Sequence, residues 1–281
     1  FTGLSKYLVD EQVIDSFYAG EDIFADKEEI SLQPNQYVML VSNSNDKKTA
    51  LARFYSYSDP LVKMYKMDDV WGIDARNKEQ SFALELLMDP DVEVVSLIGQ
   101  AGSGKTLLAV AAGLEQVLGD DSEYKKLIVS RPIQPLGNDI GYLPGTLEEK
   151  MDPWLMPIKD NLEFLLGNDR DTVKMYFEKG VIEIEAITYI RGRSITNAFI
   201  IIDEAQNLTA HELKTILTRV GEGTKLILTG DVEQIDNVYL DETSNGLTHA
   251  VEKFKSYDIS GHVTLLKGER SKVATIASKI L

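Results

Sequence analysis

From residue 77 onward, short apolar runs alternate with longer amphipathic stretches. "VEVVSLIG", "KLIVS", "FIIID", "KLILTG" and "HVTLL" are of strand length, and both alternating sets of side chains are mostly apolar. Such runs are strands covered on both faces. Between them, "NKEQSFALELLMD" and "TLLAVAAGLEQVLG" have helical periodicity, and Gly119 follows the last apolar residue of the second as a C-terminal stop. Strands alternating with helices predict an α/β fold with a mostly parallel sheet. Residues 1–68 have another texture. "QYVMLVSN" and "TALARFYSYS" are strand-like and flank the polar turn "SNDKK", which predicts a hairpin within a small β-rich, barrel-like module. "YKMDDVWGIDARN" reads as the connection to a second domain at 69–281. Within that domain, "PIQPLGNDIGYLPGTLEEKMDPWLMPIKDN" holds five of the eight prolines. It is too long for an ordinary connection and reads as an excursion from the sheet. There is no internal repeat and no low-complexity tract.

The 281 residues, 43% of them hydrophobic, suffice for one large α/β domain and a small extra one. No apolar run approaches the ~20 residues of a membrane span, so no membrane partner is expected. The start, "FTGLSKYLVDEQ", lacks a basic n-region, a long apolar h-region and an initiating Met. It reads as part of a longer or processed protein rather than a signal peptide. The absence of cysteine rules out disulfides and thiolate metal sites and fits a cytoplasmic protein. A net charge of −16 argues against broad wrapping of nucleic acid. It leaves room for a narrow basic channel in an acidic shell.

The chemistry begins at "VVSLIGQAGSGKTLLA". Gly99, Gln100, Ala101, Gly102, Ser103, Gly104, Lys105 and Thr106 match G-x-x-x-x-G-K-[ST] between a predicted strand and a predicted helix, the context that gives this motif its meaning. The glycines let backbone N–H groups turn inward around phosphate oxygens. Lys105 is placed to reach the β and γ phosphates of ATP, Thr106 to offer a hydroxyl to Mg²⁺, and the helix N-terminus to add partial positive charge.

A second stretch, "NAFIIIDEAQNLT", runs through five apolar residues, Ala198 to Ile202, into Asp203 and Glu204 with no basic neighbour. The end of a buried strand is an unfavourable place for two carboxylates without a compensating cation. In a phosphate-loop fold, a strand beside the loop ends in the Asp that holds Mg²⁺. Asp203 takes that place, and Glu204 is positioned to polarise an attacking water. That predicts hydrolysis rather than transfer to a substrate hydroxyl.

"IIIDEAQ" and "LILTGDVEQID" resemble the Asp-Glu-Ala-Gln and Gly-Asp-x-x-Gln motifs of superfamily 1 helicases. "NKEQ" resembles their upstream glutamine element, which would bring Gln80 to adenine. Residues 70–281 as a whole resemble a PhoH-like ATPase, through "SRPIQPLGNDIGYLPGTLEEKMDPWLMPI", "YIRGRSITNAFIIIDEAQN" and "LTRVGEGTKLILTGDVEQID". The resemblance implies a single RecA-like phosphate-loop core, a ring that is hexameric in the family, and action on single-stranded RNA. It puts Asp231 and Gln234 on the motif that couples γ-phosphate to nucleic acid. "KLILTGD" is a strand whose C-terminal end lies beside the loop in an open α/β sheet, so the placement is sound on physical grounds too. The ending "GERSKVATIASKIL" departs from the Arg-His-Pro ending of short members. It resembles the subgroup in which a PIN-type nuclease domain precedes the ATPase.

Phosphoryl transfer calls for an arginine on the developing charge. Arg191 and Arg193 in "YIRGRS", Arg219 in "LTRVGEG" and Arg270 in "KGERS" are the candidates. Arg219 could equally cap a helix, and Arg270 could pair with Glu269. One phosphate-loop core cannot supply a finger from a second core, so the finger comes from the same core or from a neighbouring copy in a ring. For nucleic acid, "RGRS" and "KKLIVSRP" are the basic patches, and Tyr142 and Trp154 are possible stacking platforms or subunit contacts. His211, His249 and His262 show no metal spacing and read as surface or helix residues. Two classes of function fit: an ATP-driven RNA helicase or translocase coupled to a nuclease, and a nucleotide-dependent switch or assembly protein without strand separation.

Overall fold

A computed structural model describes residues 1–133, 147–266 and 272–280; of residues 147–152, 274, 275, 278 and 279 it describes the backbone alone. The predicted apolar runs become strands β5 (Val94–Gly99), β6 (Lys126–Arg131), β8 (Ala198–Ile202), β9 (Lys225–Gly230) and β10 (Ser260–Leu265). With β7 (Ile182–Ala186) they form a six-stranded sheet in the order β10-β5-β9-β8-β6-β7, parallel at every pairing. Every residue of β8 and β9 is buried, as the unbroken apolar runs require. Helices α2 (Lys78–Met88) and α3 (Lys105–Leu118) bury their apolar residues in the larger core, and α7 (Ala210–Leu217) and α8 (Gly246–Phe254) serve the core on the other face.

The excursion holds α4 (Leu147–Leu165), with Pro153 and Pro157 inside it. It is followed by α5 (Arg170–Glu178) and, after β7, by α6 (Ile187–Arg191). The strand β7 is not evident from an apolar run because its sequence is IEIEA. Its glutamates stay partly exposed at the sheet edge, where Glu183 pairs with Lys126 at 2.8 Å and with Arg193 at 3.0 Å.

The N-terminal residues form β1 (Leu4–Val9), α1 (Glu11–Tyr18), β2 (Gln36–Ser42), β3 (Thr49–Phe54) and β4 (Val62–Lys63). The β2–β3 hairpin is present. The four strands make an open sheet in chain order, not a barrel, and β1 runs parallel to β2. The physical reason is coverage: Val38, Leu40, Ala50, Ala52 and Phe54 pack with Ile14 and Phe17 of α1, while Tyr37 on the opposite face joins the core of the larger sheet. A sheet covered on both faces gains nothing by closing on itself. The final helix, α9 (Lys272–Ile280), follows β10. Among the described residues no helix is long and apolar enough to cross a membrane.

Candidate active site

The chain turns sharply between β5 and α3. Gly102 and Gly104 take φ of +82° and +88°, a region that side chains rarely adopt. A Cβ at Gly99 would sit 2.6 Å from the Ser103 hydroxyl, so this position too must be glycine. Lys105 opens α3 and is 7% exposed, and its ammonium donates to the Gln100 carbonyl at 3.4 Å. Among the described residues no carboxylate lies within ion-pair distance of it. The Ser103 hydroxyl is buried and has no hydrogen-bond partner among the described residues. A buried ammonium, an orphaned hydroxyl and a helix N-terminus converge where a phosphate would satisfy all three.

Asp203 follows the last residue of β8 and is 3% exposed. One carboxylate oxygen accepts from the Thr106 hydroxyl at 3.0 Å and from the Thr229 hydroxyl at 2.6 Å. Among the described residues no group of three His, Asp or Glu could hold a metal ion. The Thr106–Asp203 pair nonetheless fits Mg²⁺, which takes few protein ligands and fills its octahedral shell with water and phosphate oxygens.

Glu204 has φ +56° and ψ +37°, a left-handed conformation that costs about 1–3 kcal/mol for a non-glycine residue and is characteristic of functional sites. It sits between β8 and a 3-10 turn (Ala205–Asn207), and both of its carboxylate oxygens are held. Arg131 approaches one at 3.3 Å, and the Gln206 amide donates to the other at 2.5 Å. Arg131 also lies 3.9 Å from Asp203 and donates to the Trp154 carbonyl in α4 at 3.0 Å.

Asp231, just beyond β9, is buried. Gln206, fully buried, ties its loop to the carboxylates. The Gln206 carbonyl oxygen accepts from the Asp231 N–H at 3.2 Å, and its amide also donates to the Gln234 carbonyl at 3.0 Å. Gly230 makes the fit possible, because a Cβ there would meet the Gln206 oxygen at 2.5 Å. The Gln234 side chain is exposed. Gln100 reaches across from the glycine-rich loop to Glu233 at 2.8 Å. Gln80 stands on the other side of the loop. Its side-chain oxygen accepts from the Arg76 N–H at 2.9 Å, and its amide donates to the Ser103 carbonyl at 3.1 Å.

The carboxyl ends of β5, β6, β8 and β9 thus bring together Gln100, Lys105, Thr106, Asp203, Glu204 and Asp231. Arg219 is not among them. It is exposed beyond α7, and its carbonyl accepts from the N–H of Ile195, ahead of β8. That is the amino-terminal edge of the sheet, opposite the loop. Arg191 pairs with Glu212 at 3.4 Å and Arg193 with Glu183 and Glu185. Arg270 and Tyr142 lie outside the described residues.

Two residues at the centre are absent from the sequence-derived set, Arg131 and Gln206. "KKLIVSRP" reads as a nucleic-acid patch until strand pairing is known. Ser130 is level with Ile202 in the β6–β8 register, so Arg131 is level with Asp203. Gln206 is the last residue of the Asp-Glu-Ala-Gln motif, but only the fold shows what it bridges. His262 is a further correction. It lies buried within β10 between Ser96, at 2.8 Å, and Thr264, at 2.9 Å. Burial pushes its imidazole down to about 3.

Two cavities open on this edge. One, of about 980 Å³, is bounded by Tyr65, Arg76, Asn77, Gln80, Gly102 and Gly104. The other, of about 420 Å³, is bounded by Arg131, Pro153, Trp154, Glu204, Asn207 and Asp236.

The family described as PhoH-like protein matches residues 72–279. Protein PhoH2 of Bacillus subtilis (strain 168) is 49% identical over 286 residues, covering all of this chain and 64% of that protein. Protein PhoH2 of Mycolicibacterium smegmatis is 41% identical over 214 residues, 76% of this chain and 48% of that protein. The chain therefore spans between about half and two thirds of these relatives. Among solved structures, the Pif1 helicase from Candida albicans aligns over 74% of this chain and 43% of its own, with 16% identity and a TM-score of 0.38. That likeness is too distant to carry an argument, and the assignment rests on the sequence matches. The chain belongs to the PhoH-like protein family.

Proposed function

We propose that this protein hydrolyses ATP and couples the hydrolysis to movement along single-stranded RNA. The observation that carries the reading is the Thr106–Asp203 pair, 3.0 Å apart, beside a buried lysine with no carboxylate partner among the described residues. In this reading the glycine-rich loop and Lys105 hold the β and γ phosphates. Thr106 and Asp203 would hold Mg²⁺, which when bound offsets phosphate charge. Glu204 orients the attacking water and accepts its proton. Arg131 and Gln206 fix the Glu204 carboxylate, and Gln206 links that event to the loop of Asp231 and Gln234. Hydrolysis loses a phosphate next to Lys105, and the Gln206 bridge offers a path from that loss to the 231–239 loop, whose far end, Val238 and Tyr239, is exposed.

The helicase or translocase activity, assembly into a hexameric ring and coupling to a nuclease outside this chain follow from the family resemblance, and a cytoplasmic location from the absence of cysteine. They belong to the proposal, as does Arg219 as a finger reaching a neighbour. The second reading, a nucleotide switch without strand separation, draws on the net charge of −16, which disfavours nucleic acid. Phosphate release from ATP, measured with and without single-stranded RNA, separates the two. Stimulation by RNA supports the motor. Hydrolysis indifferent to RNA supports the switch. No hydrolysis under either condition removes both.

A further inference from the structure

The larger cavity has a wall that the phosphate-loop core does not supply. Leu51, Met64, Tyr65 and Lys66, all from the four-stranded sheet and the segment that leaves it, line the space that Gly102, Gly104 and Gln80 border from the other side. The glutamine element that "NKEQ" resembles puts the base beside Gln80, in this cavity; we propose that Tyr65 is its stacking platform, so that the N-terminal sheet is part of the nucleotide site. The inference rests on the reading of the glycine-rich loop as a phosphate site.

Three observations carry it. The first is position. The cavity begins at the phosphate loop itself, and its volume of about 980 Å³ matches the size of pockets that take small ligands. The second is Tyr65. It is 71% exposed, so core packing does not account for it, while its backbone is held at both ends. The Met64 N–H donates to the Leu51 carbonyl at 3.0 Å, and the Met67 N–H to the Ser81 hydroxyl at 3.3 Å. An aromatic ring on an anchored rim can stack with little ordering cost.

The third is the rigid seat of the sheet. Tyr37 stacks on Phe82 of α2, with ring centroids 4.1 Å apart and planes 8° from parallel. Arg53 is 2% exposed and pairs with Glu85 at 2.9 Å and Asp89 at 2.8 Å, both at the C-terminal half of α2 and just beyond it. The Asn35 amide donates to the carbonyls of Asp258 and Ser260 at 2.8 Å each. A Cβ on Gly3 would fall 1.9 Å from the His262 carbonyl. The sheet is thus clamped to α2, whose first turn carries Gln80. Both polar ends of the Gln80 side chain are already engaged by backbone, one on each side of the cavity. Gln80 therefore acts chiefly as a strut that sets the width of the slot, and stacking on Tyr65 supplies most of the affinity for the base.

The test is calorimetric titration of Tyr65→Ala, Tyr65→Phe and Lys105→Ala with Mg-ATP, and of the Tyr65 variants with Mg-tripolyphosphate, which carries phosphates without a base. Tyr65→Ala should bind ATP about tenfold more weakly, the factor set by loss of one base–aromatic stack. Tyr65→Phe should bind as the parent does, and neither change should move tripolyphosphate affinity. Unchanged ATP affinity in Tyr65→Ala, with binding lost in Lys105→Ala, removes the Tyr65 wall and leaves the phosphate site standing. Equal weakening of ATP and tripolyphosphate in Tyr65→Ala also overturns the proposal, because the effect is then not on the base. Undiminished ATP binding in Lys105→Ala overturns the phosphate site, and this inference with it.

Discussion

In the proposed reaction Glu204 carries the most specific chemistry of any single residue, and its environment separates two roles. Its backbone is held left-handed, and its two oxygens are held by Arg131 and Gln206. Glu204→Gln keeps the shape and leaves Thr106 and Asp203 untouched. The variant is expected to bind Mg-ATP normally and to hydrolyse it at least about a hundredfold more slowly, the scale of a lost general base. Lys105→Ala should instead lose both binding and turnover. Among the described residues the lysine packs against no partner charge, so the melting temperature should fall by no more than a few degrees. Equilibrium binding and single-turnover rates on the two variants check this division. Loss of ATP binding in Glu204→Gln would mean that Glu204 is a ligand rather than the base.

Secondary-structure elements show where a linear pattern informs and where it misleads. Strands β5, β6, β8 and β9 are mostly buried and rich in consecutive apolar residues, so their apolar runs alone find them. The edge strand β7 alternates isoleucine with glutamate and escapes that reading, because one of its faces meets lysine and arginine rather than a helix. His262 is hidden for a related reason: a histidine in a strand of mixed character looks like a surface residue until β10 is placed beside β5. Its burial has a consequence in solution. The folded state holds the imidazole neutral down to about 3, whereas the unfolded chain protonates it near 6.5. Between those values the unfolded state binds the extra proton, so stability falls as pH drops through that window. At ~1.4 kcal/mol per unit, the loss amounts to several kcal/mol by its lower end. Thermal melts of the parent should drop steeply below about pH 6.5. In His262→Gln that limb should be shallower, and an equally steep limb would show that other groups dominate.

At the scale of the whole molecule, the position of Arg219 is decisive. It lies at the amino-terminal edge of the sheet, away from its own glycine-rich loop, so it can act on a γ-phosphate only in another copy of the chain. Arg219→Ala and Lys105→Ala should each be inactive alone, and a mixture should recover part of the turnover by pairing intact loops with intact arginines. A fully active monomer at low concentration would sink the ring. In that case Arg131, 3.3 Å from Glu204 within the same chain, is the arginine positioned to serve in its place.

Linear order suffices for the parts of this protein whose chemistry is contiguous. The glycine-rich loop works through eight consecutive residues and the turn they make, and Asp203 and Glu204 are marked by the apolar strand that precedes them. An α/β core follows from the alternation of strand and helix. Everything that depends on strand order needed the three-dimensional structure. The β6–β8 pairing, not proximity in the chain, puts Arg131 beside Asp203. The side chain of Gln206 spans a gap between two motifs 25 residues apart, which a sequence read as separate motifs does not reveal. Strands β2 and β3 can be recognised from the sequence, yet the seat of the N-terminal sheet on α2 is made by Tyr37, Arg53 and Asn35 contacting residues 32 to 225 positions away. Such contacts arise because burying one face of a sheet selects whichever complementary surface the rest of the chain presents, and that surface exists only once the core has folded.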